Sequence, residues 1–202
     1  MPDPAIKGSA FAGVAEDLQK LLDQGDLSRD ELCARLPEAD VALIDETVSP
    51  GFWYPMAAYD RMLALLVDLE GGDDPRAYLL GRGERAMQRL MDLGIYNQFA
   101  SLEKGWTRLS GRVLGTIGQV VYNFLTFSIV AERDPNAPVG EQSERFTILV
   151  KDGGRLSRYA QTTIEGAVAA LASRAAHGPV TVSSARVATD EVEIYVERVA
   201  VE

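Results

Sequence analysis

Strand-like and helix-like periodicities succeed one another in the last third of the chain, in an order few folds accommodate. From Tyr122 to Val130 the run YNFLTFSIV alternates at about the strand period, and Phe146–Val150 (FTILV) answers it across the polar, proline-containing stretch DPNAPVGEQ. This pair reads as a hairpin, with a long loop at 132–145 that is expected to be mobile. From Ser157 to Ala176 the spacing becomes helical, with Ala160, Ile164, Ala167, Val168, Leu171 and Ala175 on one stripe. Val180–Val187 and Glu191–Val199 then return to alternation around Thr189-Asp190. The predicted fold class is therefore α+β: a helical N-terminal half followed by a ββαββ antiparallel sheet unit.

The front half reads as helices. Val14, Leu18, Leu21 and Leu22 place a helix over Gly13–Gln24, which Gly25 stops. Ser28 is an N-cap for 29–36, with Asp30 and Glu31 in the first turn where the helix dipole favours them. A short helix over 38–46 follows Pro37. Ser49-Pro50-Gly51 then breaks the chain ahead of the helices predicted over 56–69 and 76–93. Residues 1–50 form an N-terminal extension of short helices, and 51–202 the α+β domain. The stretch 106–119 is helical in pattern, yet Gly111, Gly115 and Gly118 fall on one face of it. Such a face serves tight packing, or lets a flat ligand come close.

Composition excludes several functions. With 202 residues and 47% hydrophobic content the chain builds a sizeable core. A net charge of −10 argues against sequence-independent nucleic-acid binding and against an anionic membrane surface. The chain has no apolar run of about 18 residues. Its start, MPDPAIKGSAFAG, lacks the basic and apolar regions of a signal peptide, so the cytoplasm is the expected location. The one cysteine, Cys33, is expected to be a buried or half-buried structural thiol, and the one histidine, His177, ends a helix. Neither has a catalytic partner nearby in sequence. The glycine clusters LGRGER and KDGGR fail the spacing of phosphate-binding loops. The expectation is a protein with no catalytic residues, no metal and no cofactor.

Two groups of side chains remain as binding candidates. Trp53, Tyr54, Tyr59, Tyr122 and Phe124 can wall a mostly apolar pocket, although core packing accounts for such aromatics equally well. Arg82 and Arg112, from a set that also includes Arg85, Arg89 and Arg108, can anchor a carboxylate or phosphate. The alternative is pairing with surface acids. Gly115, with Gly111 and Gly118, marks the closest backbone approach.

The element order, with FTILVKDGGRLSRYAQTTIEGAVAALASRAAHGPVTVSSARV and TDEVEIYVERV as its most specific part, resembles the superfamily of haem-nitric-oxide-binding (H-NOX) domains, 4-vinyl-reductase-like domains and TRAPP subunits. The front segments SRDELCARLPEADVALIDETVSPGFWYPMAAYDRMLALL and LLGRGERAMQRL resemble a mostly bacterial group of that fold. The resemblance implies an internal apolar space between helices and sheet, and frequent dimerisation. Haem-binding members place an axial histidine on a middle helix, and here no histidine precedes Ala176. Their Tyr-x-Ser-x-Arg motif for the propionates is replaced by LVKDGGR, with Arg155 the one matching residue. Haem is thus not expected. The resemblance implies a non-haem sensor of a small apolar molecule, or alternatively a homodimerising interaction protein whose pocket is filled by its own side chains.

Overall fold

The structure, a computed structural model, describes residues 3–92, 116, 118–131 and 145–199. Gly111, Gly115, Arg108, Arg112, most of the 106–119 helix and nearly all of the 132–145 loop lie outside the described residues.

The front half opens with a strand β1 (Ala5–Lys7) that runs straight into helix α1 (Gly8–Gln24). Helices α2 (Arg29–Arg35) and α3 (Glu38–Asp45), strand β2 (Trp53–Pro55), and helices α4 (Met56–Glu70) and α5 (Pro75–Asp92) follow. The sequence places the start of α1 five residues late, because its cap is not local. Its first N–H groups are taken by carbonyls of the turn ahead of β2: Gly8 N–H by Phe52 at 2.8 Å and Ser9 N–H by Pro50 at 3.2 Å. A Cβ on Gly8 would stand 2.0 Å from the Ser49 carbonyl oxygen, so only glycine permits this approach. The other boundaries follow from local chemistry. Gly25 ends α1 in the left-handed region at φ 78°, and the Ser28 hydroxyl accepts from Glu31 N–H. Where α3 meets α4, Arg61 donates twice to the buried Asp40 carboxylate, at 2.6 and 2.8 Å.

Strands β3 (Thr126–Ala131) and β4 (Arg145–Lys151), helix α6 (Arg158–Ala176), and strands β5 (Val180–Ala188) and β6 (Glu191–Arg198) make the predicted ββαββ unit. All pairings are antiparallel, in the order β3-β4-β6-β5. Phe146, Ile148 and Val150 alternate with Val192, Ile194 and Val196 to bury one face. The Ser157 hydroxyl caps α6 by accepting from Ala160 N–H, and His177 closes it in the left-handed region at φ 51°. On α6 the buried stripe runs through Ala160, Ile164, Val168, Ala172 and Ala176; Ala175 is exposed and Ala167 and Leu171 are half-buried, a correction to the predicted face.

Tyr122 does not belong to β3. Asn123 explains why: its side-chain oxygen accepts from Ala5 N–H at 2.7 Å, and its own N–H reaches the Ala5 carbonyl at 3.2 Å. Tyr122 consequently bridges Ile6 of β1, and the large sheet starts four residues later. Cys33 is exposed on α2, against the expectation of a buried thiol, because α2 buries only Leu32.

The two halves meet where α5 crosses α6. A Cβ on Gly83 would lie 2.0 Å from the Thr163 carbonyl oxygen, and one on Gly166 would lie 2.1 Å from that of Leu80. Each helix thus presents bare backbone to the other, which sets the distance between the front helices and the sheet.

Candidate functional site

Two aromatic groups come together beside this crossing. Phe11, one turn ahead of Val14 on α1, stacks on Tyr54 with ring centroids 4.6 Å apart and planes 13° apart. It also leans on Tyr59 at 6.4 Å. Tyr54 is held by its hydroxyl, which accepts from Ser49 N–H at 2.8 Å. From the other side, Tyr122 meets Phe124 edge-on at 6.1 Å and Phe127 at 6.4 Å. Tyr59 and Tyr122 are both buried. Burial pushes the Tyr59 phenol up to about 12, and the Tyr122 phenol well above its ordinary value, with the neighbouring Tyr59 and Asp60 adding to the effect. At neutral pH both are neutral donors inside an apolar wall.

Of the residues singled out from sequence, Tyr54, Tyr59, Tyr122 and Phe124 form this wall. Trp53 does not join it. Its indole is 43% exposed and lies under the Lys7 ammonium, 4.3 Å from the ring centroid, beside Phe52 at 68% exposure. Three-residue strand β2 alternates, so a half-buried Tyr54 leaves its neighbour Trp53 on the open side. Arg82 is buried and fully engaged: it donates to Asp17 Oδ2 at 2.6 Å, to the Tyr78 hydroxyl at 3.1 Å and to the Gly13 carbonyl at 3.2 Å. Arg112 and Gly115 lie outside the described residues. At Gly118, the described member of the glycine face, the space a Cβ would need is filled by the Phe127 ring at 2.3 Å. Packing therefore explains that glycine.

Asp60, next to Tyr59, was not anticipated. It accepts from the Ser157 hydroxyl at 2.5 Å, joining α4 to the cap of α6. Burial raises its carboxyl to about 6, against the lowering pull of Ser157 and Arg61. A carboxyl raised on folding favours the native state fully below its ordinary 3.8, and that advantage is lost as pH rises through 6. Asp60→Asn keeps the acceptor for Ser157 and removes the ionisation. The variant is expected to gain about 1–2 kcal/mol over the wild type between pH 4 and 7, solvent screening at this half-buried site taking part of the full value. Urea titrations at both pH values read it; an equal stability difference at the two would refute the assignment. The signal for the other missed residue, Phe11, is present in the sequence. It extends the Val14, Leu18, Leu21 stripe back by one turn.

Behind Tyr59 a cleft between α1 and α5 reaches Thr163 of α6. Its interior is about 20 Å³, room for roughly one water molecule.

Neither a protein-family model nor a curated relative matches the sequence. Solved structures do match the fold. An Fe(II) unliganded H-NOX protein mutant from K. algicida superposes at TM-score 0.62 and 14% identity, over 95% of this chain and 96% of that one. An H-NOX protein from S. oneidensis in the Fe(II)NO ligation state gives 0.60 and 14%, over 95% and 98%. A mutant of the T. tengcongensis H-NOX gives 0.60 and 9%, over 95% and 97%. The fold is H-NOX-like. Among the described residues, the histidine, the cysteine and the arginine that matches the propionate motif are not placed to hold haem. His177 is exposed at the end of α6, Cys33 is exposed on α2, and Arg155 is exposed in the turn after β4.

Proposed function

We propose that the protein is a non-haem sensory or regulatory domain of H-NOX-like fold that binds a small, largely apolar molecule, performs no catalysis, and works in the cytoplasm through a protein partner or a second copy of itself. One observation carries this reading: Tyr59 and Tyr122, buried and neutral, offer phenol donors within a wall otherwise made of Phe11, Tyr54, Phe124 and Phe127. An apolar wall with a few polar groups is how small molecules are held and oriented. The solved Fe(II) H-NOX structures share this fold, and on this reading the chain takes a different occupant.

A second reading is favoured by the close approach of α5 and α6: helices in backbone contact suit an interaction protein whose pocket is filled by its own side chains. Native mass spectrometry of the purified protein, followed by thermal shift against a panel of small apolar compounds, separates the two. The sensor reading expects a retained mass, or a compound that raises Tm by several degrees and loses that effect in Tyr59→Phe/Tyr122→Phe. A ligand-free dimer that no compound stabilises would establish the second.

A further inference from the structure

We propose that the cleft between α1 and α5 is an anion site that takes the carboxylate group of a small molecule, with Arg85 as its unengaged cation. Helix α5 projects Arg82, Arg85 and Arg89 toward α1 from successive turns, and all three line the cleft. The outer two have partners. Arg82 is neutralised by Asp17, and Arg89 donates to Glu16 Oε2 at 2.8 Å while its guanidinium lies against Gly13, 3.1 Å from where a Cβ would stand.

Between them Arg85 has neither an ion pair nor a hydrogen bond among the described residues, and the Ser9 hydroxyl across the cleft has none either. Three guanidiniums face two carboxylates, so the cleft carries one surplus positive charge inside a protein of net charge −10. A chain with 30 acidic residues has ample means to pair a surface arginine. Arg85 is exposed and solvated when the site is empty, and the surplus positive charge at the mouth of the cleft is what attracts an anion. A carboxylate matches the surplus of one charge and the fork of a guanidinium. A phosphate dianion would overshoot that charge. The interior, about the size of one water molecule, takes at most one carboxylate oxygen, so the head group sits at the mouth on the exposed Arg85 and the rest of the ligand points to solvent. Tyr59 borders both the cleft and the aromatic wall, but the anion site rests on Arg85, and its failure would leave the reading of the wall standing.

The test is a thermal-shift titration of the full chain with sodium acetate at ionic strength fixed by sodium chloride, run in parallel with inorganic phosphate. Acetate is expected to raise Tm with the logarithm of its concentration above its dissociation constant, by about 3–6 °C at ten times that constant. Arg85→Gln should abolish the rise, and Glu84→Gln, a change on the neighbouring exposed residue, should leave it. Arginine Nε–H resonances give a second readout that does not depend on stability: those of Arg85 should move with acetate. No rise in Tm, no saturating shift of the Arg85 resonance, an undiminished rise in Arg85→Gln, or a larger rise with phosphate than with acetate would each overturn the proposal.

Discussion

Gly83→Ala and Gly166→Ala are each expected to destabilise the protein by roughly 3 kcal/mol or more. The reason is what the methyl meets. At Gly83 it would stand 2.0 Å from the Thr163 carbonyl oxygen and 2.7 Å from Ala167 N; at Gly166, 2.1 Å from the Leu80 carbonyl oxygen. These are backbone atoms of a neighbouring helix, which cannot rotate away as a side chain can. The helices must part, and parting them uncovers Leu79, Ala160, Ile164 and Val168 together. Once parted, they admit a second methyl at little further cost, so the double variant should fall well short of the sum. Gly81→Ala is the internal control. Its methyl would touch only the flexible end of Arg85, at 3.3 Å, and replacing a helix-interior glycine by alanine should stabilise by up to about 1 kcal/mol. Urea unfolding of the three variants checks the pattern. Equal and small effects at Gly81, Gly83 and Gly166 would show that the crossing is looser than described.

The same crossing bears on function, because it fixes how far the front helices stand from the sheet unit. A variant that parts α5 from α6 without unfolding the chain would enlarge the space beside Tyr59. Under the sensor reading such a variant should change ligand size preference before it changes fold.

Sequence reasoning reached the elements whose causes are local. Ser28 and Ser157 cap because their hydroxyls find an N–H three residues on, and Gly25 stops α1 because the left-handed region is open to it. The alternation of β4 and β6 is legible because one face is buried throughout. What escaped is held by partners distant in the chain. The first turn of α1 depends on carbonyls of Pro50 and Phe52, and Tyr122 leaves the strand pattern because Asn123 is captured by Ala5. Three-residue strands β1 and β2 are too short to show a period. Arg186 reads as an ordinary charged position in β5, yet it donates to the carbonyls of Gly153, Leu156 and Thr189 and ties down the turn after β4. At the candidate site, residue type identified Tyr54, Tyr59, Tyr122 and Phe124. Burial and partnering, which sequence does not encode position by position, then removed Trp53 to the surface and locked Arg82 into a structural role.

Glu165 shows the same limit with a larger energetic consequence. In an alanine-rich helix it reads as a solvated charge, but it is 1% exposed. Its carboxylate accepts from Arg76 of α5 on one oxygen and from the Ser184 hydroxyl of β5, at 2.7 Å, on the other. Gln161 completes the chain by donating to Ser184 at 3.0 Å. Arg76→Ala should therefore cost about 2–4 kcal/mol, because it strands a buried carboxylate with one neutral donor. The outer end of Arg76 is exposed, so water tempers the loss and the upper limit is not expected. Adding Glu165→Leu to Arg76→Ala removes the stranded charge and should recover most of the stability. A double-mutant cycle by urea unfolding should then give a coupling of about 2 kcal/mol or more. If Arg76→Ala costs less than about 0.5 kcal/mol, the pair behaves as an exposed ion pair, and the polar tie between α5, α6 and the sheet is not what holds Glu165 inside.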